Sequence, residues 1–434
     1  MRKMVSCLLP LLLLAGCKGK VGGEWSDGGE TPGEETTLDG DRQENDESYG
    51  SDDGGQVAEA PDETQDGGNG DDVQVSDEHE PLADGSCTDP SPPHTAFELV
   101  LRDLPPDSWY EAPGSHMRAV CPDIPGHDCR YVIDAWSGGA CDPLHNRMLV
   151  FGGGHGDYPG NELYGFNLYT GEWERLTDPS PVEYKNQDPL PDGRPVSRHT
   201  YDGLQYIVHA NRFFAVGGSR WQDGSGTHVT WTFDSDTRQW ENRQPEDVPS
   251  FANCCSDASA YDPATGRVFI HATKFLAAYD YDSNRYVMLH DFGYPPLWPR
   301  YEVWGDKRCT VDTRRGLLWC LGSGLVMVYD IAGDSFVTDD WATTGGAPFD
   351  NSEQVGGHTE QLFHTTGGEV ITAQGPGVDY DPVSDDLVAW VGGGPWILDL
   401  DSKHWMQGSA EGAPPEPARD GTYGRWRYVA RTNV

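Results

Sequence analysis

Three short stretches concentrate the residue types that bind ligands or move protons. Gly154-His155-Gly156-Asp157-Tyr158 sets an imidazole two residues from a carboxylate and three from a phenol. Ser197-Arg198-His199-Thr200-Tyr201 brings together a guanidinium, an imidazole and a phenol. Tyr423-Gly424-Arg425-Trp426-Arg427 alternates aromatic and cationic groups. Arg220-Trp221, and Trp304 with Asp306 and Lys307, extend the set. Aromatic faces stack on sugar rings, and Arg or His binds uronate or sulfate groups. The same side chains also have a structural use, because buried polar groups are normally hydrogen-bonded to their surroundings.

Metal chemistry has weaker support. Asp234-Ser-Asp236-Thr, Asp280-Tyr-Asp282-Ser and Asp399-Leu-Asp401-Ser look like pieces of calcium loops. A full loop needs further ligands, including a bidentate Glu. Asp and Ser are also turn formers, and the turn reading is preferred. No Cys-x-x-Cys pair supports zinc, and no cofactor is expected. The chain has ten Cys. Cys309 and Cys320 flank Asp312–Gly316 and would face each other across a hairpin. Cys121 and Cys129 close a short loop. Both pairs are expected as disulfides; the pairing of Cys87, Cys141, Cys254 and Cys255 stays open.

These groups need a scaffold, and composition restricts it. With 54 Gly, 32 Pro, 15 Trp and 19 Tyr, the chain favours strands and turns over helices. One pattern returns five times: an apolar run ending in an aromatic or Leu, then Asp or Asn, a polar turn and an aromatic. The copies are residues 163–173, 229–240, 276–286, 326–336 and 396–405. A turn, a strand and usually glycines precede each copy. Four antiparallel strands per unit, repeated, mark an all-β propeller.

Phe151-Gly-Gly-Gly154, Asn161-Glu-Leu-Tyr164, Phe166-Asn167 and Trp173 resemble a kelch repeat. The resemblance covers residues 130–434 and is degraded in the third copy, where His271-Ala272 replaces the glycines. It implies a kelch-type β-propeller of six blades, with seven as the alternative. Five blades are complete by sequence. Gly421–Tyr428 would supply the inner strand of the sixth, and Ala96–Arg102 with Ser108–Ala112 its outer strands. Residues 343–370 show no further copy.

In kelch propellers the loops leading into inner strands, and those after the glycine pair, surround the mouth of the central channel. That places His155, Asp157, Tyr158, Arg198, His199, Tyr201, Arg220, Trp304, Tyr423 and Arg425 as candidate site residues. Two enzyme families share the architecture that this resemblance implies. Galactose oxidase uses copper and an adjacent Tyr-His pair, and no Tyr-His dipeptide occurs here. Propeller polysaccharide lyases use His and Tyr for proton transfer, with Arg neutralising a uronate. His155 or His199, Tyr201 and Arg220 match those types.

The first residues carry an address. Arg2-Lys3, the apolar run Val5–Leu14 and Leu14-Ala15-Gly16-Cys17 resemble a bacterial lipobox, implying a signal peptide over 1–16 and a lipid on Cys17. Residues 18–85 hold 22 Asp/Glu against three Lys/Arg and almost no aliphatic side chains, which reads as a disordered, self-repelling tether. Residues 86–434 would then be the propeller, and Lys18 after the Cys favours outer-membrane delivery. The net charge of −41 argues against a nucleic-acid partner. The expectation is a monomeric, envelope-anchored lipoprotein whose propeller binds a glycan or protein, with a uronate-directed lyase as the alternative.

Overall fold

The repeated pattern has one local physical basis. In each copy a large apolar side chain faces an aromatic across an antiparallel pair. The pairs are Phe166–Trp173, Phe233–Trp240, Tyr279–Tyr286, Tyr329–Phe336 and Leu398–Trp405. Such cross-strand pairs stabilise a hairpin by about 0.2–1 kcal/mol each. The next residue, Asn167, Asp234, Asp280, Asp330 or Asp399, accepts backbone N–H groups from two or three residues on. These are Asx turns. The Asp-x-Asp stretches are therefore turns, and their leading carboxylates are engaged with backbone.

The computed structural model describes residues 5–6, 93–106, 108–113, 115–249, 257–292, 300–303, 305–355 and 358–434, without the side chains of 5–6 and 351–362. Five four-stranded antiparallel sheets form the blades of a propeller. Their first strands are Gly139–Asp142, Leu204–Ile207, Ala258–Asp262, Arg308–Asp312 and Gly377–Asp381. Each lies beside the next around the axis. Apolar clusters fill the space between neighbouring blades. For example, Leu149 and Phe151 of blade 1 pack with Tyr206, Phe213 and Trp231 of blade 2.

Among the described residues there are five blades, not six or seven, and each failed expectation has a local cause. Ala96–Arg102 is a helix, because Thr95 and Glu98 make a reciprocal capping box. Ser108–Trp109 pairs with Val5–Ser6 and joins no blade. Tyr423–Arg425 is a 3-10 turn, and the φ of Tyr423, +49°, excludes a strand there. Residues 343–370 carry the hairpin Pro348–Val355 with His358–Thr366 and a short helix, Gly368–Ile371. In the degraded third copy His271 is fully buried, and its Nε2 lies 3.1 Å from the Tyr301 carbonyl.

The misjudged segments still occupy the space between blade 5 and blade 1. Val429 and Val434 exchange both backbone hydrogen bonds, the single rung of a rudimentary hairpin. Tyr428 Oη donates to Asn433 Oδ1 at 2.8 Å, as Tyr279 does to Asn284 in blade 3. Leu101, Met117, Val132, Val429 and Val434 pack against Val150, Phe166 and Trp173 of blade 1. On the other side, Trp109 and Trp426 pack on Trp390 of blade 5. Glu98, fully buried, accepts from Asn146 of blade 1 at 2.9 Å and from Arg431 near the C-terminus. Burial alone would raise the Glu98 carboxyl, but the Arg431 and Thr95 hydrogen bonds hold it below the usual range.

Both expected disulfides are present, Cys121–Cys129 and Cys309–Cys320. The second joins directly opposed residues of blade 4, with Cα atoms 4.1 Å apart. The Cys309 N–H donates away from the ladder, to Asp202 Oδ2 at 3.1 Å, so this is a non-hydrogen-bonded pair. Cys141 is disulfide-bonded as well. Cys17, Cys87, Cys254, Cys255 and the tether lie outside the described residues. No described helix is long and apolar enough to cross a membrane.

Candidate functional site

At one end of the axis, the loops approaching the first strands are tied to one another by backbone hydrogen bonds. Tyr201 N–H donates to the Trp136 carbonyl at 2.7 Å, and Asp202 N–H to that of Asp257 at 3.3 Å. Gly375 N–H donates to Asp306 at 2.8 Å, and Tyr423 N–H to Gly375 at 3.2 Å. Trp136, Tyr201 and Tyr423 all take left-handed φ values, +43°, +47° and +49°. Bulky residues rarely adopt that conformation, and its persistence needs support from the surrounding structure. Here the linked backbone supplies that support and gathers three aromatic residues, with Trp136 half-buried and Tyr201 and Tyr423 buried. Gly424 is required at the closure: a Cβ there would lie 2.3 Å from the Gly139 carbonyl oxygen.

The two-residue strand Arg198–His199 pairs with Ser219–Arg220 on the same rim. Successive side chains on a strand point to opposite sides. His199 accordingly turns to Asp157 in the overlying loop, while Arg198 turns the other way and pairs with Asp188 at 2.6 Å. The loop carrying His155 and Asp157 passes directly over this strand. A Cβ at Gly154 would lie 2.4 Å from the Arg198 nitrogen, so only glycine permits that approach. Ser197 Oγ pins the loop by donating to the Tyr158 carbonyl at 2.8 Å.

His199 is the centre of the resulting cluster. Its Nε2 is 2.8 Å from Asp157 Oδ2. Its ring lies 4.8 Å from Trp136, 5.4 Å from His155 and 6.2 Å from Tyr201. Tyr201 Oη is 3.3 Å from Ser219 Oγ, and its ring is 6.3 Å from Tyr423. Burial pushes the His199 imidazole down to about 4 against the opposing pull of Asp157, and His155 adds to the depression. A neutral ring that donates Nε2–H to Asp157 keeps Nδ1 as an acceptor. Burial raises Tyr201 to about 12, so it remains a hydroxyl donor at neutral pH. Asp306 is also raised by burial, tempered by Tyr423 and Lys307. Lys307 and Asp257 are both buried, which lowers the amine and raises the carboxyl.

His155, Asp157, His199, Tyr201 and Tyr423 are thus brought together. The remaining candidates are not. Tyr158 is buried, and its Oη donates to Glu162 Oε1 at 3.0 Å. Arg220 makes paired hydrogen bonds to Asp223, at 3.1 and 3.0 Å, and holds that carboxyl at about 2. Arg425 is buried and donates to the carbonyls of Thr422, Ile133 and Gly421. Trp304 lies outside the described residues. Sequence reasoning missed Trp136, although Trp136-Ser-Gly-Gly139 and Tyr201-Asp-Gly-Leu204 place an aromatic at the same offset before a first strand.

His155 is exposed and Trp136 and Asp157 are half-buried, so the rim offers a stacking face, an imidazole and a carboxylate, with His199, Tyr201 and Tyr423 buried beside them. It suits a polar, ring-bearing ligand. Among the described residues, no cluster of three or more His, Cys, Asp or Glu is arranged to hold a metal ion. No protein-family model matches the chain, and no curated protein matches it.

Proposed function

We propose that this chain is an envelope-anchored lipoprotein whose kelch-type propeller presents a glycan-binding mouth. In this reading Cys17 carries the lipid, residues 18–85 space the propeller from the membrane, and the rim formed by Trp136, His155, Asp157, His199 and Tyr201 meets the sugar. The Asp157–His199 pair beside the half-buried Trp136 ring carries the proposal. Stacking and directional hydrogen bonding from a rigid rim are what a sugar ring requires. The lyase alternative has less support, since a uronate needs a cation, and Arg198, Arg220 and Arg425 are engaged internally.

The test is a glycan-binding screen of the full lipidated chain in vesicles, spanning neutral, amine-bearing and acidic polymers. Replacing Trp136 by Ala should weaken binding about tenfold or more, the scale of losing an aromatic stacking partner. Arg220→Ala should leave it unchanged. Absence of binding across the screen, with ultraviolet-absorbing unsaturated products from a uronate polymer, would replace this reading by the lyase. A Cys17 peptide of unmodified mass would remove the anchor.

A further inference from the structure

The opposite end of the axis holds a second polar constellation. A cavity of about 80 Å³ opens there, lined by all five blades and the C-terminal segment. Tyr206, Tyr261, Tyr380 and Tyr428 ring it, with Pro263, Thr313 and Pro382 from the hairpin turns at its edge. Gln205, Thr310, Asp379 and Arg427 supply its polar wall. Arg308 lies behind them, fully buried.

Two guanidiniums meet two carboxylates in this constellation, and two nitrogens of Arg308 remain without a hydrogen-bond partner. Asp202 accepts from Arg308 Nη1 at 2.8 Å, from Ser259 N–H at 3.2 Å and from Cys309 N–H at 3.1 Å. Asp379 accepts from Thr310 Oγ1 at 2.8 Å and from Tyr428 N–H at 2.9 Å. Each oxygen of Asp379 thus already accepts one hydrogen bond. Arg427 spends Nε on the Gly424 carbonyl and Nη2 on Gln205, at 3.0 and 3.2 Å. Its Nη1 is 3.6 Å from Asp379 Oδ1, beyond hydrogen-bond length. Arg308 Nη2 stands 3.9 Å from the same oxygen, and both Nη2 and Nε of Arg308 are buried with no hydrogen-bond partner. A buried unmet donor costs about 1–3 kcal/mol, more when it is charged.

From these unmet donors we infer that the axial cavity binds a carboxylate group, held by Arg427 with Arg308 behind it. The guest supplies acceptors and no competing donors, which a sugar hydroxyl does not. The cavity admits a carboxylate head rather than a whole sugar ring. The tyrosines and prolines narrow its opening, and charge-assisted bonds are stronger in such partly buried surroundings than in water. Burial and the charge of Arg308 depress the Arg427 guanidinium, to about 10, against the opposing pull of Asp379 and Asp202. Cations that recognise an acidic group therefore belong to this end of the axis rather than to the His199 rim.

Titration calorimetry of the full chain with formate, glucuronate and glucose tests the inference. Formate and glucuronate should bind and glucose should not. Glucuronate binding would show that the cavity reads a carboxylate carried on a sugar; formate alone would confine it to small free anions. Arg427→Gln should weaken formate binding about tenfold or more, the scale of one charge-assisted contact. Thr313→Trp should block the opening in a chain whose axial polar groups are untouched, and His199→Asn should leave formate binding intact. No heat with either acid would leave water as the only guest and overturn the inference. So would equal binding of glucose, or formate binding indifferent to both Arg427→Gln and Thr313→Trp.

Discussion

The five blades and the wedge that closes the ring solve the same packing problem by different means. A blade is held by its ladders: each strand pairs along its length, and the Asx turns and facing rings recur at fixed positions. The wedge between blades 5 and 1 has one hydrogen-bonded rung, Val429 with Val434. Its cohesion comes from side chains, chiefly the Glu98 bonds to Arg431 and Asn146 and the Trp109–Trp390–Trp426 group. A ladder distributes its energy over many groups. A buried ion pair concentrates it in one, so removing a single partner leaves an uncompensated charge.

That contrast makes Arg431→Ala the most damaging change expected. It should cost about 3–5 kcal/mol by leaving Glu98 buried and unpaired. Urea unfolding would measure this, and a loss below about 1 kcal/mol, the range of an exposed pair, would show that the wedge does not depend on the clasp. Within a blade, replacing both Cys309 and Cys320 by Ser should cost about 2–3 kcal/mol, the value for a short closed loop. An unchanged denaturation midpoint under reducing and oxidising conditions would contradict it.

Two buried carboxyls sharpen the comparison through pH. Glu98 in the wedge has a cationic partner and is held below its usual range, so its stabilisation is present above the unfolded pKa and is lost as pH falls through the folded value. Glu162 in blade 1 accepts from the Tyr158 hydroxyl, and its Oε2 has no hydrogen-bond partner. Burial raises it to about 7, so stability is full below its ordinary pKa and declines as pH rises through about 7. Glu162→Gln should therefore flatten the decline between pH 5 and 8, a change of order 1–3 kcal/mol. Persistence of the same slope in the variant would remove Glu162 as its source.

The smallest expected effects concern a device the two regions share. Tyr329 donates to Asp334 in blade 4 and Tyr428 to Asn433 in the wedge, each acceptor five residues on with positive φ. Tyr329→Phe and Tyr428→Phe should each cost about 0.5–1.5 kcal/mol, the net worth of one hydrogen bond. Thermal melts that show a cost in blade 4 and none in the wedge would mean that the rudimentary hairpin contributes no stability.

Much of the blade architecture was legible because its signals are local. An aromatic, an Asp and a second aromatic within a dozen residues specify a hairpin wherever they occur, and each of the five copies became a blade. Opposed Cys309 and Cys320 followed from counting about the same kind of turn. The closing wedge was misjudged because a short segment next to an apolar gap takes whatever conformation its own capping and φ preferences allow. Thr95 with Glu98 made a helix of Ala96–Arg102, and the left-handed Tyr423 ended any strand. The mouth was partly legible: residue types located His155, Asp157, His199, Tyr201 and Tyr423. Whether a side chain faces the rim or the interior is decided by strand alternation and by partners distant in sequence. Arg198 turned inward to Asp188 while its neighbour His199 turned out to Asp157, and Arg427 reached across the axis to Gln205, 222 residues away. Local sequence determined the turns and the pairing of strands; the choice among polar side chains was made by burial, which satisfies some of them internally and leaves the others facing the two ends of the axis.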